Sequence, residues 1–368
     1  MILEAAMILY FFSACIYFLN LITVVFKKKS RLFAILLFVL MFILMTATNN
    51  SNGENGDYRA YSNLYNHFLN GGTLANIAGY QTDFGYMTLL YWVSKLNITY
   101  NAFLVLISII SFFLIRSTVK KITNNYNAVL VFYTIFPFFY DAIQFRFFFA
   151  YSIIVFALRY LLFENNKDYK KYFILVLFAS LFHLTALFYF VYFLVFLNFK
   201  TLLKALGILS FIITLYLFIS NISIVNIINN IISYDKIEQY SVGNIGYDLN
   251  PLTSFAIIFF MIFFVFIITY INKKNESHTT NYLLLLNIIN LLILPFLLVS
   301  LDFERFIRPV LFINYAVISK EVFNLNSRAR AVLLFSLLTI LFLRFYMMKD
   351  SALILLENNY IFSFFVSN

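Results

Sequence analysis

An arginine stands at the start of one of the apolar runs of this chain. Arg146 is the second residue of the run Phe145–Phe163, and Gln144 lies just before the run. A charged side chain at the centre of a bilayer costs about 2.5–3.5 kcal/mol on insertion scales, so Arg146 is a candidate functional residue if this run spans a membrane. Its planar guanidinium group suits a phosphate, which it can bind through two parallel hydrogen bonds. The alternative is an arginine that simply extends to the membrane interface.

A histidine lies near the middle of a second apolar stretch. His183 occurs in the sequence Phe-His-Leu-Thr-Ala, within Tyr172–Phe199. Because histidine titrates near neutral pH, His183 can act as a base or donate a hydrogen bond to an anion. The alternative is a histidine that only packs in the core.

Charged residues also cluster in the apolar C-terminal half. Arg305 and Arg308 are three residues apart, so they share a face if Pro309 begins a helix. Two guanidinium groups on one face are suited to a diphosphate, with Glu304 or Asp302 as their orienting partner. The alternative is a solvated turn between two helices.

Two short motifs, Asp57-Tyr58-Arg59 and Asp83-Phe84-Gly85-Tyr86, each begin a predicted short helix. Either aspartate is an N-cap, or it acts as a base towards a sugar hydroxyl or hydrogen-bonds the sugar. Aromatic side chains near these motifs are candidate stacking surfaces for a sugar: Tyr58, Tyr61, Tyr86 and Trp92.

The composition identifies the elements that must position these residues. Of 368 residues, 63% are hydrophobic and 11% are charged, whereas a soluble chain has about 25% charged residues. The chain is therefore an integral membrane protein, and its continuous apolar runs exclude an outer-membrane barrel. Ten runs are predicted to span the membrane as helices: Met7–Phe26, Leu32–Thr48, Asn101–Val119, Ala128–Tyr140, Phe145–Phe163, Thr201–Ile219, Leu252–Ile271, Tyr282–Val299, Pro309–Phe323 and Ala331–Met347.

The stretch 172–199 is too long for one ordinary span and too short for two. If it is a re-entrant or broken hairpin, the main clusters of lysine and arginine all face one side, and both termini face the other. The net charge of +10 then reports orientation, and no nucleic-acid partner is needed to explain it.

The predicted fold is an all-α membrane protein with about ten spans, the hairpin at 172–199 and interfacial helices on the outer face. We expect one membrane domain over 1–368, with outer loops at 49–100 and 221–251. In the first loop, an aromatic face is expected to point towards lipid headgroups: Tyr58, Tyr61, Tyr65 and Phe68. The single cysteine, Cys15, excludes a disulfide framework, and no metal site or cofactor is expected.

These motifs, in this order and at these distances, resemble the EpsG-type branch of the Wzy-like polysaccharide polymerases. The resemblance covers roughly residues 50–200 and rests on the two aspartate motifs, on Arg146 with Ala150, and on the motif around His183. It implies a multi-pass enzyme of the bacterial plasma (inner) membrane that makes exopolysaccharide, capsule or O-antigen. The implied substrate is an oligosaccharide repeat unit on undecaprenyl diphosphate. A flippase and a chain-length regulator are candidate partners, and the lipid bilayer is the surrounding phase.

We therefore expect Arg146, Arg305 and Arg308 to bind the diphosphate, with Gln144 beside Arg146. His183 serves as base or as diphosphate ligand, and four further residues orient the acceptor sugar or supply the base: Asp57, Arg59, Asp83 and Glu304. Tyr58 and Tyr86 are expected to bind the substrate by stacking. The alternatives are a flippase or other transporter of lipid-linked oligosaccharide and a membrane glycan acyltransferase. A transporter of this kind usually has repeats with interrupted helices in both halves, and none is apparent here.

The predicted topology places the connection after the hairpin on the cytoplasmic side. A cysteine at Lys204, in a chain from which Cys15 has been removed, should react with a membrane-impermeant thiol reagent only from the cytoplasm. Labelling from outside the cell would overturn the topology.

Overall fold

The described part of the chain is helical. The computed structural model describes residues 2–26, 30–47, 56–74, 83–163, 167–196, 200–220, 251–298, 300–322 and 324–347, and none of these residues lies in a β-strand. The prediction of an all-α class is confirmed. The predicted outer loop 221–251, apart from Pro251, lies outside the described residues.

The α-helices are α1 (Ile2–Val25), α2 (Arg31–Thr46), α3 (Gly56–Leu69), α4 (Phe84–Lys95), α5 (Tyr100–Val119), α6 (Tyr126–Ile135), α7 (Phe138–Ile143), α8 (Phe145–Ala157), α9 (Arg159–Leu162), α10 (Tyr169–Phe182), α11 (Lys200–Ser220), α12 (Pro251–Lys274), α13 (His278–Asn290), α14 (Arg308–Val322) and α15 (Ser327–Met347). Three segments are 3-10 helices: Leu184–Val195, Leu291–Leu298 and Leu301–Ile307. Small hydroxyl residues fix some of the starts. The Thr99 hydroxyl, for example, accepts the Ala102 N–H at 3.3 Å and so caps α5.

Six helical stretches among the described residues are long and apolar enough to cross a membrane: Tyr100–Val119, Phe145–Leu162, Thr201–Ser220, Phe255–Lys274, His278–Leu298 and Arg328–Met347. Other predicted runs form shorter helices. The 16 residues of α2 are about 24 Å long at 1.5 Å per residue, less than the roughly 30 Å of a bilayer core. The chain is a multi-pass membrane protein, and the count of ten spans stays a prediction.

The stretch 172–199 contains a break and a reversal of chain direction. His183 interrupts the helical run between α10 and the 3-10 helix Leu184–Val195. The Tyr172 hydroxyl donates a hydrogen bond to the Tyr189 carbonyl oxygen at 2.6 Å, and the Tyr169 and Phe193 ring centroids lie 6.5 Å apart. A straight helical rod would separate these residues by more than 20 Å. The chain therefore turns back on itself, while its placement as a re-entrant segment in a membrane stays a prediction.

The chain divides into two compact units, the first comprising Met1–Ala157, Phe173–Leu187 and Tyr315–Asn368. In this unit α5 packs along α8, and α3 packs on α4. The corner between α6 and α7 is fixed by the Tyr315 hydroxyl, which donates to the Phe136 carbonyl oxygen at 2.9 Å.

The second unit comprises Leu158–Tyr172 and Phe188–Asn314. Here α11 packs against α13 and the 3-10 helix Leu291–Leu298, and α12 packs against α13. Gly207 permits a close approach, because a Cβ at this position would lie 2.9 Å from the Ile288 Cγ2. Buried amides also pair inside this unit, where Asn287 and Asn314 exchange two hydrogen bonds of 2.9 and 2.8 Å.

Candidate functional site

Asp83 joins three elements of the first unit. It occupies the N-cap position of α4, but its carboxylate makes no hydrogen bond to the first turn of that helix. One carboxylate oxygen instead accepts from the Arg146 Nη1 at 2.8 Å. The other accepts the backbone N–H of Leu184 at 3.2 Å. Asp83 thereby connects the start of α4 to α8 and to the bend that follows His183.

Arg146 is held on two sides and remains accessible. Its guanidinium pairs with Asp83 and lies 5.4 Å from the centroid of the Tyr61 ring, a cation–π distance. The Arg146 side chain is 17% exposed. Arg146 is therefore a fixed cation at the start of α8 that still has surface from which to contact a ligand.

His183 lies at the bend itself. Its backbone N–H donates to the Ala179 carbonyl oxygen at 3.1 Å, which completes the last turn of α10. Its Nδ1 and the Thr185 hydroxyl lie 2.6 Å apart, and the ring packs edge-on against Phe147 at 5.2 Å between centroids. These contacts from two elements fix the orientation of a buried imidazole.

Gly85 allows α4 to dock on this bend. A Cβ at Gly85 would lie 2.7 Å from the Leu181 carbonyl oxygen and 2.8 Å from the Leu181 Cβ. Both atoms belong to, or are attached directly to, the backbone, so a larger residue would push α4 away. The glycine two residues after Asp83 thus has a steric reason, and it lets the Asp83 motif pack against α10 two residues before His183.

A second cluster of charges lies in the other unit. Arg305 forms an ion pair with Asp302, with 2.8 Å between Nη2 and Oδ1, and its Nε donates to the Asp302 carbonyl oxygen at 2.8 Å. Arg305 is the third-last residue of the 3-10 helix Leu301–Ile307, and Arg308 begins α14. Residues three apart in a 3-10 helix lie on the same side. Arg308 and Glu304 are both buried.

Potential metal ligands do not cluster in the described part of the chain. Among the residues that the structure describes, no group of three or more histidine, cysteine, aspartate or glutamate side chains could hold a metal ion.

Comparison with known proteins then identifies the family. The model of the EpsG family matches residues 33–364. The chain belongs to the EpsG family. This is the family of Wzy-like polysaccharide polymerases, so membership indicates a polymerase-like, glycosyltransferase-like role in polysaccharide biosynthesis. No curated protein and no solved structure matches the chain.

The structure of this EpsG-family protein brings some of the predicted site residues together. Asp83, Arg146 and His183 meet at one place, although 100 residues separate the first from the last. The interpretation of Asp83 as a simple side-chain N-cap is wrong, because its carboxylate faces α8 and the bend. Gln144 lies at the break between α7 and α8, where its carbonyl oxygen accepts the Phe148 N–H and so begins α8.

The prediction that the aromatic face of α3 points towards lipid headgroups is wrong. Tyr61, Tyr65 and Phe68 are buried, and their rings contact Tyr86, Tyr100 and Tyr91 on α4 and α5. The short helix itself was predicted correctly. Its aromatic face packs on two neighbouring helices. The spacing of residues within one helix cannot distinguish packing on another helix from packing on lipid.

Tyr86 cannot serve as a stacking surface, since its ring is completely buried. Burial also raises the pKa of its hydroxyl above the ordinary value for tyrosine, so the group stays protonated at neutral pH. Tyr58 likewise packs on Tyr100 and donates a hydrogen bond to the Asn101 Oδ1 at 2.8 Å. Trp92, by contrast, is exposed.

The remaining predicted residues of the first loop lie on α3. Asp57 lies in the first turn of α3, and Arg59 is exposed on the same helix. Sequence analysis missed Thr185, which contacts His183, and it missed Asp141. Asp141 is in fact completely buried. The sequence offered one signal for this residue: Asp141 lies five positions before Arg146, and Tyr151 lies five positions after Arg146.

Gly85→Ala tests the docking of α4 on the bend. The added Cβ should destabilise the protein by about 1–3 kcal/mol, as expected for overpacking against backbone, measured by denaturant unfolding in detergent. Thr88→Ala is the matched control on the same helix, because the Thr88 hydroxyl bonds only its own helix at Phe84, and we expect a change within about 0.5 kcal/mol. Equal stability of both variants would contradict the close contact.

Proposed function

We propose that this EpsG-family protein joins undecaprenyl diphosphate-linked oligosaccharide repeat units on the outer face of the bacterial plasma membrane. The product is an exopolysaccharide, capsule or O-antigen chain. The observation that carries the proposal is the partly exposed Arg146, paired with Asp83 beside the buried His183. Family membership supplies the polymerase-like class of reaction.

The reaction has two electrostatic demands. A hydroxyl oxygen of the acceptor sugar attacks the anomeric carbon of the donor, and the bond from that carbon to the diphosphate oxygen breaks. The hydroxyl proton passes to a base, and the lipid diphosphate leaves with the negative charge. A preorganised cation lowers the energy of that developing charge because it needs no reorientation during the reaction.

Arg146 meets the demand for a preorganised cation. Asp83 and the Tyr61 ring fix its guanidinium before any substrate binds. Arg146 lies at the start of α8, which begins the candidate membrane span Phe145–Leu162. This position suits the diphosphate of a lipid whose tail lies in the bilayer. The charge pattern of the sequence supports an outer location for this end.

The proton acceptor is either His183 or a carboxylate. Asp83 is a poor base in this geometry, because both of its oxygens already accept hydrogen bonds. His183 directly precedes Leu184, whose N–H binds Asp83, and an imidazole can accept or donate a proton, so it serves as the base or as a donor to the diphosphate. Orientation of the acceptor by Asp57, Arg59 or Glu304 and binding of a diphosphate by Arg305 and Arg308 stay predictions.

Reconstitution into liposomes with a lipid diphosphate-linked repeat unit tests the function. The wild-type protein should give a ladder of longer glycans, and Arg146→Ala should slow its formation by about 10²–10³-fold, the usual loss for one donor to a developing oxyanion. Arg146→Lys should retain part of the activity, because it keeps the charge but not the planar fork.

Arg116→Ala provides the control. Arg116 is a cation in the last turn of α5 that lies over the Tyr126 ring, so its removal should leave the ladder unchanged. Undiminished ladders in both Arg146→Ala and His183→Ala would refute the proposed site. Translocation of the lipid without chain growth would identify a flippase instead.

A further inference from the structure

Asp141 is a completely buried carboxylate with two tyrosine partners. It lies on α7, and its side chain has no exposed surface. Its Oδ2 accepts a hydrogen bond from the Tyr133 hydroxyl at 3.0 Å and another from the Tyr151 hydroxyl. Because the Asp141 side chain has no exposed surface at all, whereas His183 keeps a small exposed fraction, Asp141 does not contact a substrate.

Such a group is costly without a compensating arrangement. Removing a carboxylate from water is unfavourable unless donors satisfy its oxygens. A protein in which apolar residues of similar volume replace such a buried network is often as stable or more stable. The two hydroxyl donors offset this cost, and they bring together residues from three different helices.

The three helices meet next to Arg146. Tyr133 lies on α6, Asp141 on α7 and Tyr151 on α8. The chain breaks between α7 and α8 at Gln144, so the orientation of these two helices is not fixed by continuous helical hydrogen bonds. The bond from Tyr151 to Asp141 joins residues ten apart, and Arg146 is the midpoint of the segment that it closes.

The same side of α8 also contacts the bend. Phe147 packs on Tyr151 at 5.4 Å and on His183 at 5.2 Å between ring centroids. Displacement of α8 relative to α7 would therefore move both the cation and the support of the imidazole.

We infer that Asp141 is a positioning residue: with Tyr133 and Tyr151 it sets the angle of the break between α7 and α8, and so presents the Arg146 guanidinium to the diphosphate of the donor. The inference rests on the proposed function for the identity of the ligand. The placement of Arg146 by Asp141 can be tested whether or not the proposed function is correct.

The first experiment replaces the whole network. The triple variant Asp141→Leu/Tyr133→Phe/Tyr151→Phe removes the carboxylate together with the two hydroxyls that donate to it, so neither hydroxyl is left without its acceptor, and we expect the protein to fold. Its kcat for polymerisation should fall at least about tenfold, because small displacements of a catalytic group are costly, while KM for the lipid donor stays within about twofold. Asp141→Asn, whose amide oxygen can still accept both hydroxyls, should retain most of the activity.

The second arm asks whether the effect passes through Arg146. In an Arg146→Ala background the triple change should lower kcat by a clearly smaller factor than in the wild-type background, since the cation is gone and only the support of His183 can still be disturbed. A purely structural network would lower kcat by the same factor in both backgrounds, and that result would overturn the inference.

A readout without catalysis separates this inference from the proposed function. The rate at which phenylglyoxal modifies Arg146, followed by peptide mass spectrometry, should rise several-fold in the triple variant, while the exposed Arg328 reacts at an unchanged rate. If the wild-type protein makes no glycan ladder but Arg146 reacts faster in the triple variant, the proposed polymerase function is refuted and the placement of Arg146 is supported. An unchanged rate at Arg146 would overturn the placement whatever the activity.

Discussion

A cation in a mostly apolar protein must have a partner, and the pairing of Arg146 with Asp83 meets this constraint. The cost of an unpaired charge at the centre of a bilayer, about 2.5–3.5 kcal/mol, is a substantial fraction of the roughly 5–15 kcal/mol that separates folded from unfolded proteins. The ion pair of 2.8 Å is therefore both a stabilising contact and the means by which a short surface helix, α4, is connected to α8. The Leu184 N–H on the other oxygen of Asp83 extends this connection to the bend at His183.

The details of the two motifs follow from that connection. Asp83 must reach across to α8, so the start of α4 must approach α10 closely, and only glycine at position 85 leaves room for the Leu181 backbone. His183 ends α10, and Thr185 and Phe147 fix its ring. Spacing within each motif therefore reflects contact between motifs. The fixed guanidinium, the fixed imidazole and the partial exposure of Arg146 together suit the proposed transfer from a lipid diphosphate.

Much of this architecture could be predicted from the sequence, and the limits have a physical origin. Continuous apolar runs predicted the helices, and placement of ionisable residues predicted Asp83, Arg146 and His183 as site residues. The burial of Tyr61 and Tyr86 could not be predicted, because an aromatic face packs equally well on lipid and on a neighbouring helix, both of which are apolar. The partner of Arg146 lies 63 positions away, and the Asp141 network depends on the angles between three helices. Neither leaves a periodic signal in a single sequence.

The most direct test of this account is a double-mutant cycle on the rate of glycan elongation, with Asp83→Ala, Arg146→Ala and the two changes combined. If Asp83 acts by fixing Arg146, the double variant should be no slower than Arg146→Ala, within about threefold, because the second change removes an interaction that is already lost. Losses that multiply would show that the two residues act independently, and would contradict the claim that this ion pair organises the site.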